Sequence, residues 1–381
     1  MRMSANAMRI QTLIDRLERE RTLSDMELEE LFAILAQAHK SPGADQVQIC
    51  EGVPQAVCSK EEAILYAAAR RVREQYYGKD VYLRGLIEFT NYCRNDCRYC
   101  GIRRSNRKAE RYRLTKDQIL DCCRQGYDLG FRTFVLQGGE DLSYTDAAIC
   151  DIVSSIRALY PDCAITLSIG EKSRESYKAY KDAGADRYLL RQETSSPAHY
   201  RYLHPEELSI ENRKRCLSDL KELGYQVGCG IMVGSPGQTL ANVIEDLRYM
   251  QDFGPHMIGV GPFIPHKDTP FKDEAPGTLT DTLHLLAVIR LMIPGVLLPA
   301  TTALGTIHPV GRELGLLAGA NVIMPNLSPV NVRGKYLLYD GKICTGDEAA
   351  SCRHCMDLRI ARAGYKTAMV RGDCAGFAVN D

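Results

Sequence analysis

Apolar runs rich in β-branched residues alternate with amphipathic helical patterns along most of the chain, about every 30 to 40 residues. One helical pattern begins at Thr115, with Gln118 placed for a capping box, and ends at Gly130. Repeated strand–helix units predict an α/β fold, a (β/α)8 barrel of the TIM type, with an open doubly wound sheet as the alternative. The predicted strands are residues 81–90, 133–138, 164–170, 187–193, 226–234, 257–264, 296–303 and 320–326.

The two ends of the chain differ from this repeating middle. Before the first strand the pattern is helical, and Ser24 with Glu27 and Ser59 with Glu62 match capping boxes. No linker or low-complexity segment divides the chain, so we expect one barrel domain with extensions. The expected parts are N-terminal helices packed on the barrel (1–78), the barrel itself (79–330) and a C-terminal tail that carries cysteines (331–381).

Charged side chains interrupt two of the predicted strands, although buried parallel strands are usually apolar. Burying such charges costs several kcal/mol each unless they are paired or bind a ligand. Internal ion pairs, Arg84 with Glu88 or Arg191 with Glu193, are one interpretation, but three arginines against two glutamates favour a bound anionic group. Thr301 and Thr302 would add hydroxyl donors at the end of the seventh strand, where barrel active sites lie. The inward charges are Arg84 and Glu88 in the first strand and Arg187, Arg191 and Glu193 in the fourth.

Composition narrows the class of protein and its compartment. Lys+Arg and Asp+Glu both total 48 in 381 residues, so no overall attraction to nucleic acid or to a membrane surface is expected. The 15 cysteines occur without a secretory signal pattern or a spanning apolar stretch. In a reducing compartment close-spaced cysteines act as metal ligands rather than disulfides, so we expect a cytoplasmic metalloprotein.

A short loop after the first strand, CRNDCRYC, gathers Cys93, Cys97 and Cys100. A structural zinc site needs four ligands, and this loop supplies three. A cubane iron–sulfur cluster held by three thiolates leaves one iron free to bind a small molecule. The spacing therefore favours an open cluster at the catalytic rim of the barrel.

The Cx3Cx2C spacing, with Tyr99 before the last cysteine, resembles the signature of radical S-adenosylmethionine (SAM) enzymes. In that family the open iron binds the amino and carboxylate groups of SAM. Electron transfer from the cluster then cleaves SAM and releases a 5′-deoxyadenosyl radical. Gly138, Gly139 and Glu140 after the second strand match the family's SAM-amino motif, and GIMVGSPGQT after the fifth resembles its adenine-contacting segment.

Longer stretches, including YCGIRRSN, GADRYLLRQET and PATTALGTI, resemble the HydE family of FeFe-hydrogenase maturases. Gly138 departs from the serine of the family's QSGE motif, which leaves only a backbone contact there. The resemblance assigns cofactor contacts to Tyr99, Gln137, Gly138, Gly139, Glu140, Thr166, Glu193, Arg213, Met324 and Tyr336. It places Arg84, Arg187, Arg191, Met232, Thr301, Thr302 and Tyr339 around a substrate chamber. It implies an accessory 2Fe–2S or 4Fe–4S cluster at Cys344, Cys352 and Cys355.

The implied activity is assembly of the diiron dithiolate part of the hydrogenase H-cluster. The substrate would be a small cysteine-ligated iron carbonyl–cyanide complex, or an amino-acid-derived compound, supplied by companion maturases. A flavodoxin or ferredoxin would be the reductant.

Three alternatives to this activity remain. Methylornithine synthase shares the barrel and the arginine-rich pocket, and biotin synthase needs a strand-two cysteine that TFVLQG lacks. A non-catalytic iron–sulfur scaffold would need both cysteine trios but not the glycine-rich segments or the charged interior.

Overall fold

The computed structural model describes residues 4–39, 47–50, 53–56, 59–346 and 349–377. Its helices are α1 (Ala5–Glu20), α2 (Asp25–His39), α3 (Lys60–Tyr77), α4 (Lys116–Asp128), α5 (Asp146–Leu159), α6 (Arg174–Asp182), α7 (Pro197–Leu203), α8 (Ile210–Glu222), α9 (Leu240–Phe253), α10 (Leu279–Met292), α11 (Thr302–Ile307), α12 (Gly311–Leu317), α13 (Val330–Arg333) and α14 (Ala349–Arg362). Its strands are β1 (Val47–Cys50), β2 (Val53–Ala56), β3 (Asp80–Leu83), β4 (Gly85–Thr90), β5 (Thr133–Gly138), β6 (Ala164–Ser168), β7 (Arg187–Leu189), β8 (Gln226–Val233), β9 (Met257–Pro262), β10 (Val322–Ile323) and β11 (Lys366–Ala368).

The centre of the fold is a parallel six-stranded sheet in the order β4-β5-β6-β7-β8-β9. Parallel bridges extend it from β9 to Leu297 and from Pro299 to β10. Strand β10 then pairs with β3, and Asn326 bridges to β4. The sheet thus closes on itself with helices outside, which confirms the predicted TIM-type α/β fold.

Two predicted strands differ from the structure. The first is divided at Arg84 into β3 and β4, each with its own set of partners. The seventh, 296–303, is not a strand, because Pro299 has no amide hydrogen and Thr301 caps a helix instead. The Oγ1 atom of Thr301 accepts a hydrogen bond from the Leu304 amide at 3.3 Å, and α11 starts at Thr302.

The N-terminal helices pack against the barrel through α10, whose residues are buried almost throughout. The predicted capping boxes form: the Glu62 amide donates to Ser59 Oγ at 3.1 Å, and Thr115 pairs in the same way with Gln118. At the other end of the chain β11 pairs with β3, which the sequence did not indicate. No helix of the described residues is long and apolar enough to cross a membrane.

Candidate active site

The loop that carries Cys93, Cys97 and Cys100 follows β4, at the carboxyl end of the strands where barrel active sites lie. The Asp96 carboxylate in its centre accepts two hydrogen bonds from Arg103, at 2.7 and 2.5 Å. These bonds hold the pKa of Asp96 well below its usual range. The loop is therefore fixed by an ion pair within its own sequence before any metal binds.

The Gly-Gly-Glu segment after β5 packs directly on the cysteine loop. A Cβ atom at Gly139 would lie 2.2 Å from the carbonyl oxygen of Tyr92 and 2.8 Å from Cβ of Cys93. The Glu140 carboxylate accepts from Arg94 Nε at 2.9 Å and from the amide of Glu171 at 3.0 Å. These contacts make Glu140 a brace between the loop and the barrel.

Gly138 occupies a position with little room for a side chain. A Cβ atom there would lie 2.7 Å from Cγ2 of Thr90, so a serine would require the threonine to move. This contact gives a physical reason for the departure from the QSGE pattern.

Burial raises the pKa of the Cys97 thiol, and the other two loop cysteines raise it further. Burial also raises the pKa of the Cys100 thiol to about 12. Metal ligation requires the thiolate, so these groups need a strong Lewis acid to release their protons. No three His, Cys, Asp or Glu side chains of the described residues converge to hold a single metal ion. A cubane instead places each thiolate on a different iron, which suits three separated sulfurs.

Tyr99 is anchored by a histidine that the sequence analysis missed. Nδ1 of His204 lies 3.0 Å from the Tyr200 carbonyl, which can only accept, so Nδ1 carries the proton. Burial lowers the pKa of His204 to about 3, so its ring is neutral and Nε2 is an acceptor. The Tyr99 hydroxyl, 3.2 Å away, therefore donates to Nε2.

The ring of His204 also stacks on Tyr200, with 3.9 Å between centroids. The sequence shows His204 only as a polar residue directly after a short helix, which does not indicate that it contacts Tyr99.

Unsatisfied polar atoms lie inside the barrel. Buried Thr166 Oγ1 and Arg191 Nε have no hydrogen-bond partner in the described part of the chain. The Arg191–Glu193 ion pair, the alternative interpretation of these two charges, does form, with 2.9 Å between Nη2 and Oε2. Burial raises the pKa of Glu193, which is close enough to Cys100 and Tyr99 to raise their pKa values. Such atoms indicate a polar ligand that supplies the missing hydrogen bonds.

The backbone at Glu193 is in the left-handed region, with φ of 66°. A non-glycine residue is held there only when its surroundings enforce it, and such sites are often functional. Arg213 supplies part of that constraint, since its Nη1 donates to the Arg191 carbonyl at 2.5 Å and its Nε to Glu171 at 2.6 Å.

The partner of Glu88 is a lysine from the C-terminal tail, and the alternative pairing with Arg84 is wrong. Nζ of Lys342 lies 2.6 Å from Glu88 Oε1, and Asn326 Nδ2 donates to Oε2 at 2.8 Å. The same Nζ donates to the Tyr336 carbonyl at 2.9 Å. Lys342, which carried no signal in the strand pattern, thus places tail residues inside the barrel.

The arginines of the substrate-chamber prediction are separated along the barrel axis. Arg191 is near the cysteine loop, whereas Arg187 begins β7, at the amino-terminal end of the strands. There Arg187 Nη2 pairs with Asp373 Oδ1 at 2.6 Å. Arg84, also at that end, has Nη1 2.7 Å from Met257 Sδ. Substrate roles for Arg84 and Arg187 stay predictions, because the structure does not bring them to the cysteine loop.

The remaining predicted residues lie partly near the cysteine loop and partly near the amino-terminal ends of the strands. Met232 is buried with Leu203, Phe263 and Phe271, and the Tyr99 ring packs on this group. Met324 instead packs on the apolar cluster that contains Met257, the residue that Arg84 contacts. Three further positions lie elsewhere: Gln137 Nε2 is 3.4 Å from the Tyr336 hydroxyl, Thr302 Oγ1 accepts from Arg312 at 3.3 Å, and burial raises the pKa of Tyr339 to about 12.

The tail cysteines do not form a described metal site. Cys344 has φ of 63°, and its sulfur lies 3.6 Å from both Nη atoms of Arg312. Cys355 is exposed on α14, and the side chain of Cys352 lies outside the described residues. The accessory cluster stays a prediction.

The sequence matches the model of the Radical SAM superfamily over residues 87–250. It is 47% identical over 302 residues to the [FeFe] hydrogenase maturase subunit HydE of Thermotoga maritima, covering 79% of this chain and 86% of the relative. It is 33% identical over 270 residues to 3-methylornithine synthase of Methanosarcina barkeri, covering 70% and 75%. The crystal structure of methylornithine synthase (PylB) superposes with a TM-score of 0.77 at 28% identity, covering 93% of this chain and 97% of that one.

Proposed function

The chain belongs to the radical SAM superfamily and, within it, to the family of the [FeFe] hydrogenase maturase HydE, and on that premise we propose how its site works. Cys93, Cys97 and Cys100 would hold a 4Fe–4S cluster, and the open iron of that cluster would bind SAM. The substrate is a small cysteine-ligated iron carbonyl–cyanide complex that a companion maturase supplies. The product is an intermediate of the diiron dithiolate part of the H-cluster.

The residues present fit this cofactor pair. Three thiols without a fourth ligand suit an open cubane, and the polar atoms that lack partners suit SAM. When bound, the cluster and SAM together supply reductive cleavage of the sulfonium group, which yields a reactive organic radical. Radical chemistry of this kind needs no general base, and the described site shows none.

Within the site, charge decides which part of SAM each residue can hold. The Glu193 carboxylate can accept hydrogen bonds from hydroxyl or ammonium groups, because its only ion pair in the described part of the chain is the one between Oε2 and Arg191. Arg191 Nε has no hydrogen-bond partner among the described residues, so it can donate to a carboxylate. Tyr99 lies between Cys97 and Cys100 in the sequence, and its contacts with His204 and with the Met232 cluster fix its ring beside the proposed cluster site. The observation that carries the proposal is the buried Arg191–Glu193 pair, whose carboxylate is close enough to Cys100 to raise the pKa of that thiol and whose Arg191 Nε has no described partner.

The tail excludes water from the same chamber. Tyr336 is 2% exposed, and the buried ion pair between Lys342 and Glu88 holds the tail in place next to it. Exclusion of water protects a radical from side reactions. Fifteen cysteines and no disulfide among the described residues support a reducing, cytoplasmic location as part of the proposal.

The test is anaerobic reconstitution with iron and sulfide, followed by EPR with and without SAM. We expect a SAM-dependent change in the cluster signal and formation of 5′-deoxyadenosine. Cys97→Ala should abolish both, whereas Cys150→Ala on α5 is a matched control that should retain them. A cluster signal that SAM leaves unchanged, with no cleavage, would instead support a non-catalytic iron–sulfur carrier.

The substrate is tested separately from SAM cleavage. Addition of a synthetic cysteine-ligated iron carbonyl–cyanide complex should raise deoxyadenosine formation and shift the infrared bands of the CO and CN ligands. An amino acid is the competing class of substrate, because a 3-methylornithine synthase is 33% identical to this chain over 270 residues. Formation of 3-methylornithine from an amino acid would replace the maturase proposal.

A further inference from the structure

The cysteine loop and the segment that follows it carry a surplus of positive charge. Residues 94–111 contain seven Lys or Arg and two Asp or Glu, in a chain whose formal net charge is zero. One of those two carboxylates, Asp96, is already paired with Arg103. The surplus charge is therefore concentrated beside the site rather than spread over the protein.

Three of these cations are exposed and make no ion pair with a described carboxylate: Arg98, Arg104 and Arg107. Arg98 directly follows Cys97, and its amide donates to the Leu203 carbonyl at 2.9 Å. Its guanidinium lies 5.9 Å from the ring centroid of Tyr202, which is 42% exposed. We call Arg98, Arg104, Arg107 and Tyr202 the loop face.

A groove beside the loop face extends it toward α7 and the segment that follows that helix. The groove has a volume of about 290 Å³ and is lined by Arg94, Asn95, Asp96, Arg104, Pro205, Glu207 and Leu208. Among the described residues of that lining, Glu207 is the one carboxylate without an ion pair, and it is exposed. Arginine and tyrosine are enriched at protein interfaces.

We propose that the loop face docks an acidic one-electron carrier protein. The inference rests on the proposed function, because only a redox site beneath the loop needs such a partner. The carrier loses one electron and the cysteine-held centre gains it, with no bond or proton transferred. Surface cations of this kind steer an acidic partner and raise its association rate, and added salt weakens that effect.

The test compares R98E/R104E/R107E with a control of equal charge change, R19E/R124E/K178E. The control residues are 70%, 58% and 64% exposed on α1, α4 and α6, away from the loop. The first readout is the Kd for an oxidised acidic flavodoxin, measured by titration at several salt concentrations. The second is the rate at which the reduced flavodoxin bleaches the cluster absorbance in stopped flow. Photoreduction by deazariboflavin, a neutral small molecule, bypasses docking.

We expect the loop-face variant to bind flavodoxin at least tenfold more weakly and to lose most of the salt dependence. Its photoreduction and SAM cleavage under deazariboflavin should match the wild type, as should both readouts of the control variant. Equal losses in the two variants, or binding that charge reversal leaves unchanged, would overturn the docking proposal. Failure of SAM cleavage under photoreduction in the wild type would instead overturn the proposed function.

Discussion

The ammonium group of Lys342 lies 2.6 Å from the carboxylate of Glu88, although 254 residues separate them in the sequence. Both side chains are buried, at 7% and 2% exposure, and Asn326 satisfies the second carboxylate oxygen. A buried pair of this kind contributes little net stability, but removing one partner leaves an uncompensated charge. The pair therefore fixes where the tail enters the barrel.

Lys342→Met should destabilise the protein by about 3–5 kcal/mol, because Glu88 then remains buried without a counter-charge. The double variant K342M/E88Q should recover most of that loss, since glutamine can still accept from Asn326. Urea unfolding of the apoprotein measures both. Lys178→Met breaks an exposed pair with Asp182 and should cost about 1 kcal/mol or less. Equal losses of stability for Lys342→Met and Lys178→Met would contradict the inference that the buried Lys342–Glu88 pair holds the tail in the barrel.

Gly139→Ala should displace Cys93, because the new methyl group would lie 2.2 Å from the Tyr92 carbonyl oxygen. We expect reconstituted protein to hold substantially less iron and sulfide, measured by chemical analysis and by the cluster absorbance. Gly334→Ala is the matched control, since nothing lies within 4 Å of its Cβ position. Full iron content in Gly139→Ala would show that the two segments are less tightly packed than the structure indicates.

Removing either partner of the Tyr99–His204 hydrogen bond should weaken SAM binding several-fold while the iron content stays normal. Tyr99→Phe removes the donor, and His204→Phe removes the acceptor but keeps a ring to stack on Tyr200. The double variant should lose less than the sum of the single losses, because both act through one bond. Equilibrium binding of SAM measures the coupling. Additive losses would show that the two residues act independently.

Asp246 should make stability depend on pH near neutrality. Burial raises its pKa to about 7, although the Ser195 amide donates to it. A carboxyl group with a raised folded-state pKa favours the folded protein below its unfolded pKa, and that stability is lost as pH rises from about 4 to about 7. Asp246→Asn removes this dependence, so above pH 7 it should be more stable than the wild type by about 1–3 kcal/mol.

Urea unfolding of the apoprotein at pH 5 and pH 8 checks the Asp246 prediction. The gap between the variant and the wild type should widen with pH. An equal gap at the two pH values would show that Asp246 does not titrate between them.

The sequence predicts the fold where pattern and hydrogen bonding agree. Residues 133–138 form a strand because every amide in that apolar run can join the ladder. The run at 296–303 has the same apolar pattern, but Pro299 has no amide hydrogen to donate, and the side chain of Thr301 caps helix α11. A period-two pattern reports apolarity and says nothing about these competing hydrogen bonds.

The site, too, contains some residues that the sequence predicts and others that it does not. Cys93, Cys97 and Cys100 are adjacent in sequence, so spacing alone locates them. Glu88 depends on a lysine more than 250 residues later, and such a partner has no local signature. The interior charges could thus be identified from alternation, but their partners could not.

The pairing of β3 with β11 has a consequence for how this protein is made. Val81 is synthesised long before its neighbour Thr367. Until β11 emerges from the ribosome, one edge of β3 lacks its partner strand, and exposed strand edges attract other chains. Nascent barrels should therefore depend on chaperones until residues 366–368 have emerged, and ribosomes stalled before residue 366 should carry protease-sensitive chains.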